Sequence, residues 1–295
     1  TYQNIEIHVV DNVSTDRTRD VVRSFQSDLI VLHEYEEYEH IAEKNHSRCM
    51  HVGKGKYRAI YHADDVYHKT MVEVAVKVLE ENPEVDAVST RAILINPKGK
   101  QIGTSKTFQQ LGLPDEAIAK FSAVSLLKLV LRHYNFMIYP SLMARSEVFD
   151  RLQSVRWGMA GTSSDLDLWL RIAEQAKIGV ISVPLISYRL RNNPGEYMFT
   201  YFNGRHPYIY NVLDYWINKD SIKAELSTRD FQQYEKLLYR DLLKFSGYAL
   251  LKRDLKASAG FFEEANQINS SLSFWFFESK DYKYLLLKVL IILTR

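Results

Sequence analysis

The chain has 295 residues, 46% hydrophobic and 25% charged, so it can bury a sizeable core and is neither a disordered chain nor a fibrous repeat. Its 38 Lys and Arg residues nearly balance 36 Asp and Glu residues, and a net charge of +2 argues against a dedicated nucleic-acid binder. The single cysteine, Cys49, excludes an internal disulfide and fits a reducing compartment.

Strand-like and helix-like segments alternate along the first 95 residues. Short runs rich in β-branched residues predict strands, and apolar residues at helical spacing predict helices. The predicted strands are 5–10, 29–32, 57–61 and 85–95, and the predicted helices are one capped by Ser14 or Thr15 that runs to Phe25, then 42–51 and 70–81. Because strands that alternate with helices build parallel sheets, we expect an α/β fold with a mostly parallel sheet flanked by helices.

The character of the sequence changes in its second half. The predicted elements are a loop and then a helix over 96–135, a strand over 136–144, a helix over 165–175, a strand over 178–183 that ends at Pro184, and amphipathic helices over 228–251 and 255–268. Past about Pro207 only helices are predicted. We therefore expect two domains, an α/β domain over 1–204 and an α-helical C-terminal region over 205–295.

The ends of the chain carry two further expectations. The most apolar stretch, 284–293, is interrupted by Lys288 and is shorter than the ~20 residues that a membrane span needs. It predicts either a buried terminal helix or an amphipathic anchor that contacts a membrane surface. No signal peptide opens the chain, so we expect a cytoplasmic protein, with possible contact at the inner membrane face. The chain starts at Thr1 without a methionine, and we expect its true N-terminus to be missing.

Acidic side chains follow two of the predicted strands. Asp11 follows the first strand, and Asp64 and Asp65 follow the strand over 57–61. Ligands of open α/β sheets bind at the carboxyl ends of the strands. Adjacent carboxylates suit Mg²⁺ or Mn²⁺, which proteins hold with one or two carboxylates and the substrate's phosphates. On their own, Asp64 and Asp65 are equally well explained as caps of the helix that opens near Thr70.

Four segments together carry a more specific signal. They are VVDNVSTDRT at 9–18, Asn45 with GKY at 55–57 and HADD at 62–65, SDLDLWLR at 164–171, and VPL at 183–185 with Tyr188-Arg189. In this order they resemble the VVDDGSTDGT, N…GxY…LDADD, EDxDLWLR and IPxxLxxYR segments of family 2 glycosyltransferases of the GT-A fold. Each segment alone is a common short pattern, but the ordered set over residues 2–195 is specific.

The resemblance implies a function and a role for each matching residue. The implied reaction moves a sugar, with inversion, from a nucleotide-diphosphate donor to a hydroxyl of a saccharide or lipid-linked acceptor, in the synthesis of a cell-surface polysaccharide. Asp11 and Asn12 match residues that contact the nucleotide. Asp64 matches the ligand of a divalent cation (Mg or Mn), with Asp65 beside it in the nucleotide-sugar site. Asp165 matches the catalytic base that takes the acceptor's proton.

Asp165 also has a simpler explanation. It opens the predicted helix over 165–175, and the helix dipole favours an acid in the first turn of any helix. Asp167 lies two residues further on and therefore points to a different side of the helix. The match to the motif favours Asp165 as the base.

The sequence departs from the family segments at three positions. His62 replaces the first acid of the DXD element, Asn12 replaces the second acid after the first strand, and Arg191 stands where the family often has a metal-binding histidine. His62 and Arg191 are assigned to nucleotide-sugar binding, since arginine can clamp a diphosphate. The family's first strand would precede Thr1.

The departures from the family segments also suit the alternative of a non-catalytic sugar-nucleotide-binding or scaffold protein of the same fold. A dinucleotide-binding oxidoreductase is disfavoured, because no GxGxxG follows the first strand.

Overall fold

The computed structural model describes residues 1–190 and 207–268. The chain divides into two compact units, Thr1–Trp216 and Ile217–Arg295. The predicted domain boundary at residue 204 lies outside the described residues and stays a prediction.

The first unit contains all the described strands. They are β1 (Ile7–Asp11), β2 (Ile30–Glu34), β3 (Tyr57–Ala59), β4 (Val66–Tyr67), β5 (Val85–Ile95), β6 (Gln101–Thr104), β7 (Ile118–Phe121), β8 (Met143–Arg145) and β9 (Lys177–Arg189). Strands β1 and β2 form a separate two-stranded parallel sheet. The others form a seven-stranded sheet in the order β3-β8-β5-β9-β4, with β6 beside β5 and β7 beside β9.

Helices flank this sheet in the first unit, and the described secondary structure of the second unit is helical. The helices are α1 (Thr18–Ser24), α2 (Ala42–Cys49), α3 (Met71–Glu81), α4 (Ala123–His133), α5 (Ser146–Leu152), α6 (Trp157–Ala160), α7 (Ser164–Gln175), α8 (Tyr208–Asn218), α9 (Asp220–Lys223), α10 (Thr228–Leu251) and α11 (Leu255–Ile268). Short 3-10 turns cover Gln109–Leu111, Tyr139–Ser141 and Gly161–Ser163. The expected α/β class with a helical C-terminal region is confirmed.

The strand directions are mixed, whereas the sequence suggested a mostly parallel sheet. Strands β5 and β9 are parallel, but β3, β4, β6, β7 and β8 pair antiparallel with their neighbours. The turn over 96–100 shows why for β6, because the amide of Gly99 donates to the carbonyl of Asn96 and Gly99 has a φ of 80°. So tight a turn can only bring the chain back antiparallel. Both β6 and β7 lie in the stretch that the sequence predicted as loop and helix.

Strand β9 continues past Pro184, where the sequence predicted an end. Its pairing with β5 shifts register at Arg91, opposite Pro184. Proline has no amide hydrogen to donate to the ladder, and the irregularity lets the strand pass it. The strand therefore reaches Arg189, whose contacts are described with the site below.

The core of the first unit packs helix α3 against the centre of the sheet. Ala75 and Leu79 of α3 are buried against strand residues that include Val88 and Ile181. Helix α7 is buried on most of its sides, and Leu166, Leu168, Trp169, Leu170 and Ile172 are all fully buried. A helix buried on several sides holds its first turn rigidly, which matters for the site at its N-terminus.

The second unit contains a helical hairpin of α10 and α11, and both match the predicted ranges. Helix α10 opens with a capping box, in which the amide of Asp230 donates to Ser227 Oγ and the amide of Ser227 donates to Asp230 Oδ2. Phe245 and Phe261 pack between the two helices with ring centroids 6.0 Å apart. None of the helices that the structure describes is long and apolar enough to cross a membrane. The stretch 284–293 lies outside the described residues, and its membrane contact stays a prediction.

Candidate active site

A histidine and two aspartates meet in the segment between β3 and β4. We call residues His62 to Asp65 the 62–65 loop. One imidazole nitrogen of His62 and one carboxylate oxygen each of Asp64 and Asp65 lie within 4.8 Å of one another. Across residues 1–190 and 207–268, no other three His, Cys, Asp or Glu side chains come together in this way. Asp64 and Asp65, which follow β3, thus lie close to His62, which replaces the first acid of the DXD element.

The side chains of His62, Asp64 and Asp65 make few interactions with the rest of the described chain. Nε2 of His62 and Oδ2 of Asp65 are buried, and neither has a hydrogen-bond partner among the described residues. The carboxylate of Asp64 is exposed and forms no ion pair within the same part of the chain. Because a buried polar atom without a partner is costly, these atoms of the loop could bind a ligand that supplies the missing interactions.

Burial also sets the protonation of the loop. Burial raises the pKa of Asp65 to about 6, although a hydrogen bond from the backbone of Arg189 opposes the rise. Burial lowers the pKa of His62 against the attraction of Asp64, which favours the neutral imidazole with a free lone pair. Two carboxylates suit Mg²⁺ or Mn²⁺ and an imidazole suits transition metals. The residues present therefore fit a divalent cation.

Arg189 and Tyr67 fix the backbone of the 62–65 loop. The amide of Arg189 donates to Asp65 Oδ1 at 2.7 Å, and its Nε donates to the carbonyl of Asp64 at 2.7 Å. The hydroxyl of Tyr67 accepts from the amide of His62 at 2.7 Å and donates to its carbonyl at 3.1 Å. The Tyr-Arg pair near the end of β9 thus acts in this structure through Arg189, which ties the loop to the sheet.

Four aromatic rings in contact run from His62 of the loop to helix α7, and we call them the aromatic column. His46 of α2 stacks on His62 with centroids 4.9 Å apart, and Tyr139 lies 5.4 Å from His46 and 5.7 Å from His62. Trp169 of α7 meets Tyr139 edge-on at 6.2 Å. Burial, and then the neighbouring His62, lower the pKa of His46 to about 4, so this ring is neutral at pH 7.

Asp165 lies at the start of α7. Its Oδ2 accepts from Asn135 Nδ2 at 2.7 Å, and its Oδ1 accepts from the amide of Leu166 at 2.8 Å. Burial raises the pKa of Asp165 to about 6, although both hydrogen bonds oppose the rise. Asp165 is four residues before Trp169, and side chains at this spacing share one face of a helix. The aromatic column therefore joins the helix face of Asp165 to the 62–65 loop.

Asp167 has a different environment. It is fully buried, and both its oxygens accept from the guanidinium of Arg156, with Nε at 2.8 Å from Oδ2. Trp216 Nε1 donates to Asp167 Oδ1 at 3.0 Å. Arg156 in turn lies over the ring of Tyr215, 4.6 Å from its centroid. Asp167 is thus held in a structural ion pair, whereas Asp165 is free of any ion pair among the described residues.

The turn that leads into α7 depends on Gly161. Its φ is 46°, and a Cβ at this position would overlap the ring of Tyr208. We expect Gly161→Ala to destabilise the protein by at least ~1–3 kcal/mol, because a non-glycine residue is strained in this conformation before the overlap is added. Urea unfolding measures the loss. Gly158→Ala is the matched control, since a Cβ there meets nothing within 4 Å, and equal stability of the two variants would contradict the prediction.

Asp11 and Asn12 have intramolecular partners. Burial alone would raise the pKa of Asp11, but hydrogen bonds from Ser14 and Arg19 outweigh it and hold the pKa below its usual range. The side chain of Asn12 donates from Nδ2 to the backbone carbonyl of Glu39, and its Oδ1 accepts from the backbone amide of Glu39. No hydrogen bond or ring contact joins Asp11 or Asn12 to the 62–65 loop within the described ranges. Their contact with a nucleotide stays a prediction.

The turn after Asn12 keeps an unusual backbone. Val13 has a φ of 61°, which a β-branched residue adopts rarely. The resembling family segment has glycine at this position. The turn therefore has the left-handed shape that glycine adopts easily, although the residue is valine.

Comparison with known proteins identifies the family. The sequence model of the family described as "Glycosyl transferase family 2" matches residues 1–150, half of the chain. The chain belongs to glycosyl transferase family 2. Asp165 lies beyond the matched residues, so its role rests on the geometry and on the motif.

Relatives agree with this family. An uncharacterized glycosyltransferase of Methanocaldococcus jannaschii is 24% identical over 217 residues, which cover 72% of this chain and 69% of the relative. One of Rickettsia conorii is 23% identical over 205 residues, which cover 67% of this chain but only 30% of the relative. The crystal structure of S. aureus TarS 1–349 with UDP-GlcNAc has a TM-score of 0.51 at 13% identity, over 89% of this chain and 82% of TarS. The likeness to TarS shows the fold, and the expected glycosyltransferase is confirmed.

Several residues of this glycosyltransferase's site escaped the sequence analysis. Asn135, Tyr139 and His46 lie in segments without a recognisable motif, and His46 lacks metal-ligand spacing. His46 lies inside the predicted helix 42–51, Tyr139 lies inside the predicted strand 136–144, and Asn135 is the last residue of the predicted loop and helix over 96–135, so nothing local marks them as site residues. Arg191 lies outside the described residues, and its assignment to the nucleotide-sugar site stays a prediction.

Proposed function

We propose that this glycosyltransferase transfers a sugar from a nucleotide-diphosphate donor to an acceptor hydroxyl, with inversion. The observation that carries the proposal is the carboxylate of Asp165, which is in no ion pair within the described residues. It lies on the same helix face as Trp169, whose ring belongs to the aromatic column that reaches His62. S. aureus TarS, which has a similar fold, was solved with UDP-GlcNAc and with UDP. A donor of that chemical class suits this site.

Asp165 acts as the general base in this proposal. A hydroxyl is a poor nucleophile at neutral pH, and a positioned carboxylate that takes its proton accelerates attack. The pKa of Asp165 near 6 leaves it ionised at pH 7, while it is a stronger base than an ordinary aspartate. The hydrogen bond from Asn135 orients the carboxylate. A single base that serves one direct displacement fits inversion.

The 62–65 loop would hold the divalent cation. Asp64, with Asp65 beside it, supplies the carboxylates that would bind it, and Arg189 and Tyr67 keep the backbone of the loop in place. A bound cation neutralises the negative charge that develops on the leaving nucleoside diphosphate. In this proposal Arg191 adds a second positive group for the diphosphate, and the turn after β1, ordered by Asp11 and Asn12, lies against the nucleotide.

The wider role follows the resemblance alone. In it the enzyme builds a cell-surface polysaccharide from the cytoplasmic side of the membrane, with a saccharide or lipid-linked acceptor. The C-terminal stretch 284–293 would supply peripheral membrane contact.

We expect Asp64→Ala to lower the release of nucleoside diphosphate by roughly 100-fold or more, because loss of the cation removes several kcal/mol of charge stabilisation. The full chain is incubated with a panel of UDP-, GDP- and dTDP-sugars, with Mn²⁺ or with EDTA, and the freed nucleotide is measured. Asp115→Ala removes an exposed aspartate far along the sequence and is the matched control. Undiminished turnover in Asp64→Ala, or nucleotide binding without turnover of any donor, would contradict the proposal.

A further inference from the structure

His62 brings a nitrogen into a place where the resembling family segment has a carboxylate. One of its imidazole nitrogens lies within 4.8 Å of the ligand oxygens of Asp64 and Asp65. Its Nε2 is buried without a hydrogen-bond partner in the described part of the chain. The ring is thus close enough to share a cation with the two carboxylates, and neither of its nitrogens is hydrogen-bonded to another described residue.

The surroundings hold this ring in one orientation. His46 stacks on one face with an interplanar angle of 28°, and Tyr139 meets the ring edge-on at 67°. The Tyr67 hydroxyl holds the backbone of His62 from both its amide and its carbonyl. A ring fixed by packing and by its backbone is presented to a ligand without a further loss of side-chain freedom.

We propose that His62 is a direct ligand of the cation and that its nitrogen makes the site prefer transition-metal cations, Mn²⁺ among them, to Mg²⁺. Mg²⁺ demands oxygen ligands in near-ideal octahedral geometry and gives up its water reluctantly, whereas first-row transition metals accept imidazole. The inference rests on the proposed function, because the cation is the one that the 62–65 loop would hold. His62 is then the residue that determines which cation the enzyme uses.

The test uses Mn²⁺ alone with the full chain. Electron spin-echo envelope modulation of bound Mn²⁺ detects a directly coordinated ¹⁴N, and we expect this signal in the wild-type protein. His62→Asp restores a carboxylate, so it should still bind Mn²⁺, lose the ¹⁴N signal, and narrow the ratio of the Mg²⁺ to the Mn²⁺ dissociation constant by about tenfold. Titration calorimetry gives both constants.

Matched variants separate the possible outcomes. His68→Asp changes an exposed histidine outside the loop and should keep the ¹⁴N signal and the cation ratio. If the wild type binds Mn²⁺ without a ¹⁴N signal, the inference is wrong. This outcome does not depend on whether a variant folds. A ¹⁴N signal that persists in His62→Asp overturns it too, because another histidine would then be the ligand.

Failure of the inference can be told from failure of the proposed function. If Asp64→Ala abolishes Mn²⁺ binding but the wild type shows no ¹⁴N signal, the cation site stands and only the role of His62 is wrong. If Mn²⁺ does not bind, or Asp64→Ala leaves its binding unchanged, the cation site of the proposed function fails together with the inference.

Discussion

Asp165→Asn should slow sugar transfer by about 10²–10⁴-fold while donor and cation binding stay unchanged. The amide keeps the size of the carboxylate and can still accept the hydrogen bond from Leu166, but it cannot take a proton from the acceptor. Loss of a general base costs about 10²–10⁴ in rate. The fall should therefore appear in kcat, with little change in the dissociation constant of the nucleoside diphosphate. Steady-state kinetics and calorimetry on the same preparation measure the two quantities.

The pH profile is the control for this role. A base with a pKa near 6 must be ionised to work, so kcat/KM of the wild type should fall as the pH drops below about 6. Asp65 has a similarly raised pKa, but a carboxylate that binds a cation stays ionised to lower pH. The profile is therefore measured at saturating Mn²⁺. Undiminished turnover in Asp165→Asn would remove Asp165 from the mechanism.

Asp167→Asn should instead destabilise the fold. Removing one partner of a buried ion pair leaves the charge of Arg156 without compensation, at a cost of about 3 kcal/mol, the lower end of the usual range because Arg156 keeps some contact with solvent. In a unit of this size that corresponds to a fall in Tm of roughly 6–12 °C. Thermal unfolding followed by circular dichroism measures it.

The two aspartates of one helix thus give opposite results. Asp165→Asn removes a carboxylate whose burial is unfavourable when it is charged, but its new NH2 group meets the Nδ2 of Asn135 donor to donor, so its Tm should change less than that of Asp167→Asn. Asp167→Asn should lose stability, and at a temperature where it is still folded it should keep turnover. If Asp167→Asn kept its Tm but lost turnover, it would contradict the assignment of Asp167 to the structural ion pair and of Asp165 to the base.

The long helices were predictable because their signals are local. Apolar residues at helical spacing run through α3, and Asn82-Pro83 ends it, while Ser227 and Asp230 mark the start of α10. The strands β6 and β7 are four residues each and carry too little pattern to be recognised. Their pairing with β5 and β9 depends on partners distant in sequence, which no local pattern reports.

Some features of the candidate site were likewise predictable from local sequence, and others were not. The clustering of Asp64 with Asp65 follows from their place after a strand, and the position of Asp165 follows from the motif. The aromatic column did not follow from either, because His46, Tyr139 and Trp169 come from three separate segments that meet only in the folded chain. Arg156 pairs with Asp167 and not with Asp165, and the packing around α7 decides this choice.

Arg189 has a consequence for the surface of the enzyme. Besides the 62–65 loop, its guanidinium donates to the carbonyls of Asn96 and Pro97 in the exposed turn between β5 and β6. One planar side chain therefore couples this outer turn mechanically to the 62–65 loop. We expect a graft, a crosslink or an antibody that displaces the turn to displace this loop as well, which makes the turn a means of controlling the candidate site from outside.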